Sequence, residues 1–291
     1  MNSFGVTGTN AIATERLEAW IGRTESRSDV VMAWPAAALA ATLDRHDPEP
    51  KPGEALPPGW HWLYFLEAAP ASELGPDGHP KRGGFLPPVA LPRRMWAGGR
   101  IEFRRPLRVG DGIRRESRIV SIEPKQGRSG NLVFVTVRHS VSAGGELAVI
   151  EDHDIVYCEA AKSGDAPPPP KPAPREASWR RELVADPVML FRYSALTFIG
   201  QRIHYDLEYC RNVEGYPGLV VHGPLQVILL LDLARRNEPR PVRRIEYRAL
   251  HPLFHFERFT VNGNLAPDGA QAQLWTANPA GNQALAATAN F

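Results

Sequence analysis

From Leu219 to Ala234 the chain reads LVVHGPLQVILLLDLA, and Leu225, Val227, Ile228, Leu229, Leu230, Leu231 and Leu233 leave this stretch almost no polar side. A helix that is apolar nearly all round has to be buried on most of its faces. Pro224 suits the first helical turn, where its missing N–H costs nothing. Arg235 and Arg236 suit the C-terminal end of the helix dipole, and Asn237 with Pro239 marks the stop. With His222, Gln226 and Asp232 inside it, the segment is too short and too polar to cross a bilayer. The rest of the chain must therefore supply a surface that wraps it.

The segments that follow are suited to that task. VRRIEYRALHPLFHFE, RFTVNGNLAPDG, AQAQLWTANPAG and NQALAATANF alternate apolar and polar residues and are separated by Gly, Asn or Pro, which predicts antiparallel strands. The same order occurs earlier, less plainly. VMAWPAAALAATLDR, residues 31–45, predicts a helix opened by a proline, and GWHWLYFLEA, GRIEFRRPL, IRRESRIVSIE, NLVFVTVRHSVSA and ELAVIEDHDIVYC read as strands after it. An internal duplication is the economical reading. The run APPPPKPAP, residues 166–174, is an extended, semi-rigid spacer between the copies. The expected organisation is a first domain over 1–162, a linker over 163–177 and a second domain over 178–291. The expected fold is α+β, with each sheet curled around a helix. Pairing the two sheets edge to edge hides their open strands and makes a pseudo-dimer of one polypeptide.

Composition removes several function classes. The 291 residues carry 34 basic and 32 acidic side chains for a formal charge of +2, and the basic pairs are scattered. Neither a nucleic acid nor an anionic membrane is expected as a partner. The N-terminal MNSFGVTGTNAIATERLEAW lacks the basic flank and apolar run of a secretory signal, so a cytoplasmic location is expected. Cys158 and Cys210 form no C-x-x-C pair, which gives neither a disulfide scaffold nor a thiolate metal site. Asp152, His153 and Asp154 are successive strand residues that face opposite ways and cannot all reach one ion, so no metal is expected. EPKQGRSGN matches neither a P-loop nor a serine-hydrolase elbow.

The run FRYSALTFIGQRIHYDLEYCRNVEGYPGLVVHGPL, residues 191–225, resembles the MaoC-like, double hot-dog hydratases and dehydratases of acyl thioesters. MWAGGRIEFRRPLRVGD, KQGRSGNLVFVTVRH and EDHDIVY in the first half resemble the N-terminal dehydratase-like domain of that family, so the resemblance spans nearly the whole chain. Within it, the chain is most similar to the branch of mesaconyl-CoA and itaconyl-CoA hydratases grouped with type 2 hydroxyacyl-thioester dehydratases. The resemblance implies a double hot-dog fold and reversible addition of water across an α,β-unsaturated thioester. It implies no cofactor beyond the coenzyme A of the substrate. It also implies that the second half keeps the hydratase motif while the first half shapes the acyl and pantetheine tunnel. Pseudo-dimeric chains that assemble into a homo-oligomer complete this expectation.

Hydration of an enoyl thioester needs a base for the attacking water and donors for the enolate oxygen. His204 suits the first role, because imidazole titrates near neutrality. Gly223 suits the second, since a helix N-terminus presents free N–H groups and a residue without Cβ lets a carbonyl approach. The family motif D-x-N-P-x-H reads here Ile199, Gly200, Gln201, Arg202, Ile203 and His204. An isoleucine can neither accept a proton nor orient water. Three outcomes follow: Asp206 orients His204, Gln201 holds the water beside His204 alone, or the chain binds thioesters without turning them over. Thioester hydrolysis is the competing reaction. Tyr193, Ile199, Gln201, Arg202 and His222 are the expected substrate-lining residues, with Arg202 and Arg192 as candidates to grip a free carboxylate on a dicarboxylic acyl group. Lys125 and Arg128 are the candidates for the phosphates of coenzyme A.

Overall fold

Among the described residues, ten strands form one continuous sheet in which every pairing is antiparallel. A computed structural model of the chain describes residues 17–127, 130–159 and 169–291. The first half contributes β1 (Thr24–Val30), β2 (Arg93–Phe103), β3 (Gly112–Gly127), β4 (Gly130–Ala143) and β5 (Glu146–Cys158). The second contributes β6 (Trp179–Val184), β7 (Arg244–Ala249), β8 (Arg258–Leu265), β9 (Gln271–Ala277) and β10 (Gln283–Asn290).

The strand order is β1-β3-β4-β5-β2-β7-β10-β9-β8-β6. Counted from its outer edge, each half therefore runs first, third, fourth, fifth, second strand of its own sequence, and the two second strands meet at the centre. Gly98 pairs with Arg248 and Glu102 with Arg244 across that seam. A duplicated unit joined about a local two-fold axis gives this order, which is the double hot-dog arrangement.

The helices break the symmetry. The second half has α2 (Pro187–Thr197), begun by Asp186, whose carboxylate accepts from the Met189 N–H, and then the long apolar α3 (Gly223–Asn237). In α3 every residue from Leu225 to Ala234 is buried, and the helix packs against β6, β8, β9 and β10. The first half has α1 (Ala33–Thr42), which follows its first strand as α2 follows β6. The helix expected over 31–45 is thus the counterpart of α2, and the first half shows no counterpart of α3 among the described residues.

GWHWLYFLEA, expected as a strand, instead makes a 3-10 turn over Trp60–Leu63. Pro57-Pro58-Gly59 precedes it, and Gly59 sits at φ 86°, where a Cβ would lie 2.6 Å from Leu231 Cδ1. Gly59 thus lies against Leu231 and Ile228 of α3, and Trp60 lies under Arg235 at its end, so the first half helps to bury this helix. β1 and β6 were not evident from the sequence. Both are outermost strands with polar sequences, TESRSDV and WRRELV, as suits edges that face solvent.

The part of the 163–177 linker that is described is not free. Gln283 N–H donates to the Lys171 carbonyl and Ala173 N–H to that of Gly281, so this end runs along the β9–β10 turn. No helix among the described residues is long and apolar enough to cross a membrane.

Candidate active site

The stretch TFIGQRIHYD leaves α2 through Phe198 at φ 52° and turns into a 3-10 turn over Arg202–His204. This turn places His204 inside the protein, 6% exposed, below the strand-like segment that leads into α3. His204 Nδ1 lies 2.7 Å from the Val220 carbonyl oxygen. A carbonyl only accepts, so Nδ1 carries the proton and Nε2 keeps a free lone pair. Burial holds the imidazole pKa down at about 4, against the pull of the Val220 carbonyl and with a further small push from the neighbouring His79 imidazole. At neutral pH His204 is therefore an uncharged base.

His222, the residue just before α3, stacks on His204 with ring centroids 3.6 Å apart and 17° between planes. Its Nε2 is 2.8 Å from Ser194 Oγ, and Tyr193 meets it edge-on at 5.0 Å. His222 is 1% exposed, its Nδ1 is buried without a hydrogen-bond partner, and burial drives its pKa well down. Tyr193 is also buried, which pushes its phenol up. Its ring packs the histidine pair from the side of α2.

Gly223 opens α3, so its N–H has no partner within the helix. Pro224 contributes no donor, and Gln226 N–H returns to the His222 carbonyl. A Cβ at Gly223 would stand 2.5 Å from Cε3 of Trp96. The glycine is therefore required for close packing of the first half's β2 against this helix terminus. Trp96 in turn stacks on Tyr247 at 4.9 Å.

Asp206 does not orient His204. The backbone there is a helical turn, so the extended geometry that would put residues 204 and 206 on one face is absent. The Asp206 carboxylate accepts from Tyr209 N–H at 2.9 Å and binds Arg202 at 2.7 and 3.0 Å, and these partners hold its pKa below the ordinary carboxylate value. Arg202 is thereby committed to Asp206, to the Pro76 carbonyl and to the face of Tyr209. This removes it as a carboxylate grip, and Arg192 lies exposed on α2. Gln201 begins the 3-10 turn and is half-buried, as is Ile199.

Sequence reasoning missed the first half's contribution. The loop ending at His79 docks directly on residues 200–202: Arg202 N–H donates to the Asp77 carbonyl at 2.9 Å, and a Cβ at Gly78 would fall 2.0 Å from the Gly200 oxygen. Arg94 was missed as well. It lies two residues before Trp96 on β2, so alternation turns both toward the same face. It has no ion pair among the described residues. The turn dipeptide in GPDGHP and the neighbouring arginines were visible as residues, but no local pattern says that they reach another half of the chain.

Lys125 stands in a row of paired residues that runs Lys125, Leu132, Cys158, Arg93 across β3, β4, β5 and β2. It shares the sheet rim with Arg93 at about 14 Å, three strand spacings, and it pairs with Glu123. Arg128 lies outside the described residues.

The model of the hydroxyacyl-thioester dehydratase type 2 family matches residues 59–255, which include both the docking loop and the histidine pair. The chain belongs to this family. A mesaconyl-C(4)-CoA hydratase of Chloroflexus aurantiacus is 47% identical over 270 residues, covering 93% of this chain and 96% of that one. Among solved structures, a MaoC-like dehydratase of Phytophthora capsici is 12% identical with a TM-score of 0.69, covering 95% of this chain and 97% of its own. A Mycobacterium tuberculosis protein described as a double hotdog fold is 14% identical with a TM-score of 0.57, over 93% and 96%. For this member of the type 2 dehydratase family the fold follows from both topology and likeness.

Proposed function

We propose that the chain is a hydro-lyase that adds water reversibly across the α,β double bond of an acyl-CoA thioester. The observation that carries this is the state of His204, a buried uncharged imidazole whose Nδ1 is fixed by the Val220 carbonyl. Its Nε2 takes a proton from water as the water oxygen bonds to the β-carbon. The π electrons pass to the thioester oxygen, where the Gly223 N–H stabilises the enolate. The α-carbon then takes the proton held on Nε2, and the carbonyl re-forms. Similarity to a mesaconyl-C(4)-CoA hydratase supports hydration as the reaction and a C5 dicarboxylic acyl group such as mesaconyl as the substrate class.

Such a group needs a cation for its free carboxylate. Arg94 fits this need better than Arg202 or Arg192, since it faces the side on which Trp96 meets Gly223 and forms no salt bridge among the described residues, although its charge acts on the nearby Asp77 carboxylate. Lys125, Arg128 and the Arg93 rim are the proposed contacts for the coenzyme A phosphates, with the second half, 178–291, carrying His204 and Gly223 and the first, 1–162, lining the tunnel. In this reading no metal or separate cofactor takes part, the protein works in the cytoplasm, and its chains associate into a homo-oligomer. The reducing location fits the two free thiols, Cys158 and Cys210. Incubation with unsaturated acyl-CoA tests the reaction: His204→Ala is expected to lower kcat by about 10²–10⁴-fold, and unchanged turnover would remove His204 from the mechanism.

A further inference from the structure

We propose that His79, held by Asp77, is a second catalytic residue of this site, supplied by the first half and taking over the task of holding the attacking water, which Ile199 cannot perform. This rests on the hydratase reading above. Ile199 offers neither lone pair nor proton, so His204 alone would leave one hydrogen of the water without a partner.

The loop that carries His79 is built against the catalytic turn. Gly75 N–H donates to the His79 carbonyl at 2.7 Å and Gly78 N–H to that of Gly75 at 3.0 Å, which closes a tight turn. The turn meets residues 200–202 through Arg202 N–H to the Asp77 carbonyl and Arg202 Nη1 to the Pro76 carbonyl. Gly78 and Gly200 face one another so closely that a Cβ on Gly78 would lie 2.0 Å from the Gly200 oxygen, which the present spacing excludes, while one on Gly200 would lie a tight 3.1 Å from the Gly78 oxygen. Gly78 is thus required by this contact.

His79 is oriented as a base should be. Its Nδ1 lies 3.1 Å from Asp77 Oδ2, and the other carboxylate oxygen accepts the His79 N–H at 3.1 Å. Nδ1 therefore donates and Nε2 is left as an acceptor, as in the His204 ring. The two side chains are 25% and 35% exposed, so water reaches them. The charged and titratable groups around His79 are Asp77, Arg94, Arg82 and His204. Burial and the two arginines keep the imidazole uncharged, against the pull of Asp77. One water donating its two hydrogens to Nε2 of His204 and Nε2 of His79 presents a lone pair to the β-carbon. The proton then goes to His204 Nε2, and His79 keeps its hydrogen bond to the new hydroxyl.

The test compares His79→Ala, His79→Gln and Asp77→Asn with the unmodified chain, by steady-state hydration of an unsaturated acyl-CoA across pH and by thermal unfolding. His79→Ala is expected to lose about 10²-fold in kcat with KM within about threefold and an unchanged Tm, and His79→Gln, whose amide oxygen can accept one hydrogen bond, is expected to recover part of it. Asp77→Asn is expected to shift the acidic limb of the pH profile. If the unmodified chain hydrates and His79→Ala hydrates equally well, the role of His79 falls while the hydratase reading stands. A loss that tracks a lowered Tm, with no recovery in His79→Gln, makes the loop structural only and also overturns the role. If the unmodified chain hydrates nothing, the reading falls and this role with it.

Discussion

His204 and His222 lie ring on ring, 3.6 Å apart, both buried and each fixed through one nitrogen, to the Val220 carbonyl and to Ser194. Two imidazolium ions could not share this space, so the fold holds both rings uncharged.

That arrangement makes stability depend on pH with a definite sign. The folded pKa of His204, about 4, lies below the ordinary 6.5, so between these values the unfolded chain binds the proton and the folded chain does not. Stability is complete above about pH 6.5 and is lost as pH falls toward 4, with His204 contributing about 3 kcal/mol in total and about 2 kcal/mol of it between pH 7 and pH 5. Burial depresses His222 and His139 as well, which steepens the loss. Urea titrations at pH 7 and pH 5 measure it, and equal midpoints would be contrary to expectation.

Gly223→Ala drives a methyl group into Trp96 and is expected to cost about 1–3 kcal/mol. Trp96→Leu in the same chain is expected to relieve part of that cost, so the two changes are not additive. A double-mutant cycle in denaturant reads the coupling.

Asp206→Ala is expected to leave kcat within about threefold, because this carboxylate caps the turn that follows it and binds Arg202 rather than His204. A kcat loss comparable to that of His204→Ala would restore Asp206 as its partner.

Arg94→Leu separates substrate classes. For a dicarboxylic enoyl-CoA, kcat/KM is expected to fall about 10–100-fold, the range for removing a hydrogen bond to a charged group, while an enoyl-CoA without the second carboxylate is expected to change little. Equal losses on both would remove Arg94 from carboxylate recognition.

Much of this was legible in the residues. The apolar sides of Leu225 to Leu233 required a wrapping sheet, and the alternating segments after them supplied it. The motif resemblance pointed to His204 and Gly223. The polar edge strands β1 and β6 escaped notice because strand periodicity is clear only where one face is buried. Trp60, Trp62 and Tyr64 mimicked a strand because two-residue spacing in a short aromatic run also fits a tight turn. Asp206 was misplaced because the conformation of a five-residue stretch decides whether i and i+2 share a face. The docking of the Asp77–His79 loop on residues 200–202 was invisible, since it joins positions more than a hundred apart.

The most direct measurement follows the thioester itself by mass spectrometry, with a thiol reagent present, after adding the enzyme to a C5 unsaturated dicarboxylic acyl-CoA. The account requires the intact thioester to gain the mass of one water, with no free coenzyme A and no reaction in His204→Ala. Release of free thiol, or saturable binding that leaves every acyl-CoA unchanged, would contradict it.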